Sequence, residues 1–324
     1  MAHELEIMAN GQAAMFAVGQ TPWHGLGKVL NAPPTVEEGI KLAGMDWTVG
    51  LKALHTVDCS IPVDHRATYR VDNGKILGVV GPAYRPLQNA EMFAFFQPLV
   101  DAGEIALHTA GSLQDGRKVW VLAEITKPAL EIADGDTVKR FMLLSGSHDG
   151  SRAVRCGFTP IRVVCANTLR MAHNSERDEN KLVKVLHTKN ITTTLAQLRD
   201  VMMVANSSFE ATAEQYRRLT RCPINRADLR KYVKVVLEVE KIEDRELPGR
   251  TLTKIREIEM AATRGKGNEN PAVRGTLWTA YNGVTEYLGY THGRTNESRV
   301  DSLWFGESAR VSQRAFEVAV SMAG

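Results

Sequence analysis

The chain has 324 residues, 44% hydrophobic and 24% charged, which suits a globular protein with a sizeable core and excludes a disordered or fibrous one. No apolar run reaches the roughly 18 residues of a membrane helix, and MAHELEIMANGQ lacks the basic start and apolar centre of a secretory leader, so a cytoplasmic location is expected. The net charge of +3 is uneven: residues 1–150 carry 12 Lys+Arg against 17 Asp+Glu, residues 151–324 carry 28 against 20, and residues 151–235 alone carry 16 against 7. An excess of that size in one region fits a polyanionic partner such as nucleic acid.

Taken in chain order, the first 44 residues read as an irregular lead. TPWHGLGK and NAPP are turn-rich, and one short helix follows in TVEEGIKLAG, with Thr35 as its N-cap. Residues 45–175 read as an antiparallel α+β core. WTVGLKALHTV and ATYRVDNGKILGVVG are strand-like, and Asn73-Gly74 between two β-like runs is a strong hairpin signal. Asp115-Gly116 plays the same part within ALHTAGSLQDGRKVWVLAEI. Between them NAEMFAFFQPLVDAG predicts a helix capped by Asn89, with Phe93, Phe96 and Leu99 at helical spacing and Pro98 breaking its end. KRFMLLSGSHDGS supplies a further strand.

Residues 176–324 read as a helical region packed on that core, so the fold class is α+β with the sheet first and the helices after. TTTLAQLRDVMMVANSSFEATAEQYRRL carries an apolar stripe of period 3–4, and NRADLRKYVKVVLEVEKI opens with Asn225. TLTKIREIEMAATR is helical in pattern, NPAVRGTLWTAYNGVTEYLGY places Pro271 at the first position of another helix, and a last helix spans Glu307 to Met322. RGKGNENP, 264–271, is expected to be a mobile loop because its glycines and polar groups are costly to bury.

The densest chemistry is SHDGSRAVRCGFTPIRVVCANTLRMAH, 147–173. Four cysteines in the chain (Cys59, Cys156, Cys165 and Cys222) form no CxxC pair, which speaks against a disulfide framework or zinc ribbon. Cys156, Cys165, His148 and His173 offer no zinc knuckle, so no metal and no cofactor is expected. Cys165, in RVVCANTL, reads as a small buried hydrophobe, and Cys156 beside Arg155 as structural rather than nucleophilic. WHGLGK and RGKG lack the P-loop pattern. His148 and Asp149 are the alternative catalytic pair, for a nuclease or another hydrolase, with His24 as a further polar group; a polar Asp-Gly turn is the plainer reading.

The arginines give the leading expectation. Arg152, Arg155, Arg162 and Arg170, followed by Lys181 and Lys184, form a basic series, with Lys266 as an accessory contact. With 152–155 and 161–164 as strands, Arg152 and Arg162 are expected on a solvent face, tracking a phosphate backbone, while Val154, Val163 and Cys165 fill the core. No helix-turn-helix, basic zipper or zinc finger is present to read duplex bases.

The ordered motifs TPWHGLGK, VVGPAYRPLQNAEMFAFF, GSLQDGRKVWVLAEI, SHDGS with RVVCANTL, and LWTAYNGVTEYLGY with WFG resemble those of the phage/plasmid-like protein family, domain of unknown function 932 (DUF932). That resemblance implies a mobile-element setting, phage or plasmid, and hence DNA metabolism. The arrangement across 89–175 is similar in topology to the core of phage single-strand annealing proteins. It implies a non-enzymatic protein that anneals single-stranded DNA in recombination as a homo-oligomeric ring or filament, with host or phage recombination proteins as partners. A protein-interaction module of a mobile element is the third reading. Topology alone does not establish any of them.

Overall fold

The computed structural model describes residues 6–8, 11–19, 27–59, 61–152, 154–162, 167–168, 195–292, 302–303 and 306–324. The architecture is α+β, with the longer helices in the C-terminal half. The described residues divide into two compact units: 6–127, 141–158 and 195–203 in the first, and 128–140, 159–168 and 204–324 in the second.

The first unit begins with β1 (Met15–Val18) and β2 (Lys28–Leu30), which pair in parallel, Phe16 against Lys28. The expected irregular lead is therefore partly sheet, because β1 also pairs antiparallel with β6 (Ile105–Leu113). Trp23 and His24 lie outside the described residues. Helix α1 (Val36–Leu42) starts as expected at Thr35. Its hydroxyl accepts from the Glu38 amide at 3.2 Å, and the Glu38 carboxylate accepts from the Thr35 amide at 3.0 Å.

Strands β3 (Val49–His55), β4 (Pro62–Arg70) and β5 (Ile76–Val80) form a small antiparallel sheet, and the Asn73-Gly74 turn joins the last two. Helices α2 (Asn89–Ala94) and α3 (Gln97–Asp101) bury Phe93, Phe96 and Leu99. Two local expectations change here. Gln88, not Asn89, caps α2, because the Asn89 amide is turned inward. Pro98 opens α3 rather than ending α2, since a first-turn position needs no N–H.

β6 runs through Gln114-Asp115-Gly116, where Asp115 has φ of 58°, into β7 (Lys118–Ile125), which pairs with residues 141–147 of β9 (Asp136–Ser147). Among the described residues the main sheet runs β11 (Asn167–Thr168), β10 (Arg155–Arg162), β9, β7, β6, β1, β2, with β8 (Leu130–Ala133) paired on β9.

The second unit holds the 136–140 end of β9, β8, the 159–162 end of β10, and helices. These are α4 (Leu195–Thr220, from residue 204), α5 (Arg226–Val236), α6 (Gly249–Arg264), α7 (Leu277–Glu286) and α8 (Glu307–Met322). Asn225 caps α5 by accepting from the Asp228 amide at 2.9 Å. The core is aromatic: the Tyr216 ring lies 4.8 Å from Trp278 and 5.4 Å from Phe316, and Tyr281 lies 5.5 Å from Phe316. Such pairs add roughly 0.5–1.5 kcal/mol each beyond area burial.

α7 begins at Leu277 rather than at Pro271. Asn270 turns the chain by accepting from the Ala272 amide, Gly275 has φ of 70°, and the Thr276–Thr279 capping box then starts the helix. Against it α6 approaches so closely that a Cβ at Gly283 would stand 2.6 Å from the Ala262 amide nitrogen. Gly283→Ala therefore wedges the two helices apart. A loss of about 1–3 kcal/mol in urea unfolding is expected, and an unchanged midpoint would show that the helices have room to spare.

Candidate nucleic-acid interface

The basic series expected from sequence separates into different environments. Arg162 ends β10 and is 0% exposed. Its Nε donates to Asp136 Oδ1 at 2.8 Å and its Nη2 to Asp136 Oδ2 at 2.5 Å, so the fork meets a carboxylate that is itself 1% exposed. Nη1 donates to Asn268 Oδ1 at 2.8 Å and Nη2 also to the Gly267 carbonyl at 3.0 Å. Trp278 Nε1 donates to Asp136 Oδ2 at 2.8 Å, and its ring lies 5.3 Å from the guanidinium carbon. Arg162 is thus not on a solvent face. A buried guanidinium must be paired, and this one is committed to Asp136 and the 264–268 loop.

The same contacts correct the expectation of a mobile loop. Asn268 is 1% exposed, and its Nδ2 donates to the Ala261 carbonyl in the last turn of α6 at 2.8 Å. Its polar groups are buried because Arg162 and the helix end supply partners. Gly265 and Lys266 pass beside Glu286, whose Oε1 accepts from the Lys266 amide at 3.4 Å. Burial raises the Glu286 pKa above the usual carboxylate range, against the lowering effects of that hydrogen bond and of Arg162 and Lys266.

Of the other expected contacts, Arg152 is half-buried just after the SHDGS turn, where its amide donates to Ser147 Oγ at 2.9 Å. The strand expected over 152–155 begins only at Arg155, because this turn holds Arg152. The Arg155 side chain, and Arg170, Lys181, Lys184, Val163 and Cys165 entirely, lie outside the described residues. Lys266 is exposed.

Sequence reasoning missed a different set. In the second unit Glu210, Glu214, Glu238, Asp244, Glu259 and Glu307 are each in an ion pair with an arginine. Arg221, Arg226, Lys231, Arg250, Arg256 and Arg264 are exposed, and none has an ion-pair partner among the described residues. The signal that could have found three of them is the helical spacing of Arg250, Arg256 and Arg264 opposite the buried Ile255, Ile258 and Ala262.

His148 and Asp149 stand in the turn after β9, in the first unit. His148 is 2% exposed, with its ring edge-on to Trp47 at 5.5 Å. Its Nε2 lies 2.9 Å from Asn89 Oδ1; that oxygen can only accept, so the proton is on Nε2. Burial pushes the His148 pKa down to about 4, against a small opposing effect of the Asp149 charge, so the ring is neutral at pH 7. Burial acts to raise the Asp149 pKa, but hydrogen bonds from Ser151 and Ser147 and the Lys118 charge outweigh it and hold the carboxyl low. Asp149 Oδ1 accepts from the Ser151 amide at 2.8 Å. β5 presses on this turn at Gly78, where a Cβ would stand 2.6 Å from Asp149 Cα, and Tyr84 donates to the Ser147 carbonyl at 3.0 Å. The pair forms a packed turn, and the imidazole has no open side for a substrate.

Cys156 is buried, and burial pushes its thiol up to about 12, far from a thiolate nucleophile. Among the described residues no group of three or more His, Cys, Asp or Glu is placed to hold a metal, and no helix is long and apolar enough to cross a membrane.

Comparison with known families matches residues 76–304 to the domain of unknown function DUF932. The chain belongs to the DUF932 family. The match takes in the SHDGS turn, Arg162, Asp136 and α4 to α7 of this DUF932 protein, whereas α1 and β1 to β4 precede it. No curated protein and no solved structure matches the chain.

The His148 environment gives a pH signature. Its folded pKa of about 4 lies below the ordinary 6.5. The associated stability is complete above pH ~6.5 and is lost as pH falls through the window to about 4, by up to roughly 3 kcal/mol. His148→Gln is expected to flatten the fall in unfolding free energy between pH 6.5 and 4.5. Equal slopes for wild type and variant would show that the imidazole is not held neutral.

Proposed function

We propose that this DUF932 protein is a non-enzymatic, single-stranded-DNA-binding and annealing protein of phage or prophage DNA metabolism. The observation that carries the reading is the set of exposed arginines and lysines on the helical unit, Arg221, Arg226, Lys231, Arg250, Arg256, Arg264 and Lys266, that form no ion pair among the described residues. Phosphates are the natural counter-charge for such a surface, since arginine meets them with a planar fork and each contact releases bound cations. Lys266 stays in the set, and Arg152, Arg155, Arg170, Lys181 and Lys184 complete it along the chain. Arg162 leaves it because its donors are occupied inside the fold. Recognition by backbone charge is indifferent to base sequence. A ring or filament of copies, working beside recombination proteins, would align two strands for pairing.

The nuclease reading has less support, because the only acid–base pair it invoked is a buried neutral imidazole and a carboxylate tied into a turn.

Fluorescence anisotropy with labelled single- and double-stranded DNA of equal length, at several salt concentrations and without metal, tests the proposal. Tight single-strand binding is expected, with log K falling against log salt by about 0.7 per phosphate contact. Absence of single-strand binding at low salt rejects the reading.

A further inference from the structure

Helix α6 has one face committed to the core and one left to solvent. Ile255, Ile258 and Ala262 are buried, and the approach of Gly283 to Ala262 fixes the rotation of the helix about its axis. The opposite stripe therefore consists of Arg250, Thr253, Arg256, Met260 and Arg264, all exposed, and it continues into Lys266. The exposed charged groups on that stripe are all basic. Of the helix's two carboxylates, Glu259 lies off the stripe and is bound to Arg230 at 3.0 Å, whereas Glu257, at 100° per residue, falls within the arc between Arg264 and Arg250 and is half-buried, close enough to Tyr287 for its charge to act there. Glu269 is the next exposed acid, beyond the end of the stripe.

Arg250, Arg256 and Arg264 have no ion-pair partner among the described residues, and the Lys266 side chain is exposed beside the half-buried Glu286. Arg250 to Arg264 spans about 21 Å of helix. The far end is held rigidly, because Arg162 binds Gly267 and Asn268 and Asn268 ties back to Ala261. The Lys266 backbone is thereby held just past the helix end, beside Glu286, instead of swinging on a free loop.

The composition of the stripe selects the class of partner. A protein partner would need aromatic or aliphatic anchors, and the only large apolar side chain here is Met260, 57% exposed. A lipid surface would need an apolar face to insert, which the core-facing side of α6 cannot provide. A linear series of forks on a rigid rod instead matches the repeated phosphates of an extended polynucleotide strand.

We infer that the exposed stripe of α6 is the phosphate track of this protein, with Arg250, Arg256, Arg264 and Lys266 contacting successive phosphates of one nucleic-acid strand and Arg162 acting as the buried positioning residue for the end of the track. The inference rests on the single-strand-binding reading and assigns its location.

The test uses the full chain and a labelled oligothymidylate, with two variants whose folding is checked by thermal unfolding. The first replaces Arg250, Arg256, Arg264 and Lys266 by alanine. The second replaces Lys28, Lys41, Lys127 and Arg310, which removes the same charge elsewhere. The first is expected to lower the salt slope by about 3, at ~0.7 per contact, with a loss of at least tenfold in affinity at moderate salt, while the second keeps most of both. A wild type that binds, with the first variant unchanged, overturns the track and leaves the binding reading standing. Equal losses in both variants overturn the track in favour of diffuse charge. A wild type that does not bind at low salt overturns both.

Discussion

Burying an arginine in a protein of this size is tolerable only if nearly every donor on its guanidinium finds a partner, and the helical unit is built around meeting that demand for Arg162. The partners come from three places in the chain: Asp136 at the start of β9, Gly267 and Asn268 in the loop after α6, and Trp278 in α7, which shares the same carboxylate. Each contact fixes a different element relative to the end of β10. Replacing such a pair by apolar groups can be neutral, but removing one member leaves an uncompensated charge at a typical cost of about 3–5 kcal/mol. The pair therefore specifies which elements meet more than it adds to total stability.

That arrangement has consequences at the surface. With the core side of α6 fixed by the Gly283 approach and its C-terminal end tied through Asn268, the exposed side can hold only what the remaining positions supply, and the exposed charges among them are basic. Two of the carboxylates nearby, Glu259 and Asp244, are engaged with another arginine, Arg230. In the first unit the same economy of polar groups gives the opposite result. His148, Asn89, Ser147 and Tyr84 satisfy one another in a closed turn, so residues that look chemically active in sequence are consumed in packing.

How far the sequence foretold this depends on the range of the interaction involved. The Thr35 and Asn225 caps, the Asn73-Gly74 and Asp115-Gly116 turns, and the last helix at Glu307–Met322 are local, and each was legible from a few neighbouring residues. Pro271 and Asn89 misled, because Pro and Asn suit several turn and cap positions and the choice between them was made by Gly275 and by His148. Arg162 was read as solvent-facing because its counter-charge is 26 residues away and the indole that completes the site is 142 residues from Asp136. The one local hint was its position in TPIRVVC, an arginine among apolar neighbours in a strand. The stripe on α6 was concealed by Glu257 and Glu259 interleaved with the four basic residues of the helix, and it emerges only once Glu259 is paired with Arg230 and Glu257 is found half-buried.

The central claim is that Arg162 and Asp136 act as one buried unit, and a double-mutant cycle with Arg162→Met and Asp136→Leu, followed by urea unfolding, addresses it directly. Each single variant is expected to lose about 3–5 kcal/mol, and the double variant much less than the sum, giving a coupling of at least ~2 kcal/mol. Additive losses would contradict the account, since they would mean that the guanidinium and the carboxylate do not depend on each other.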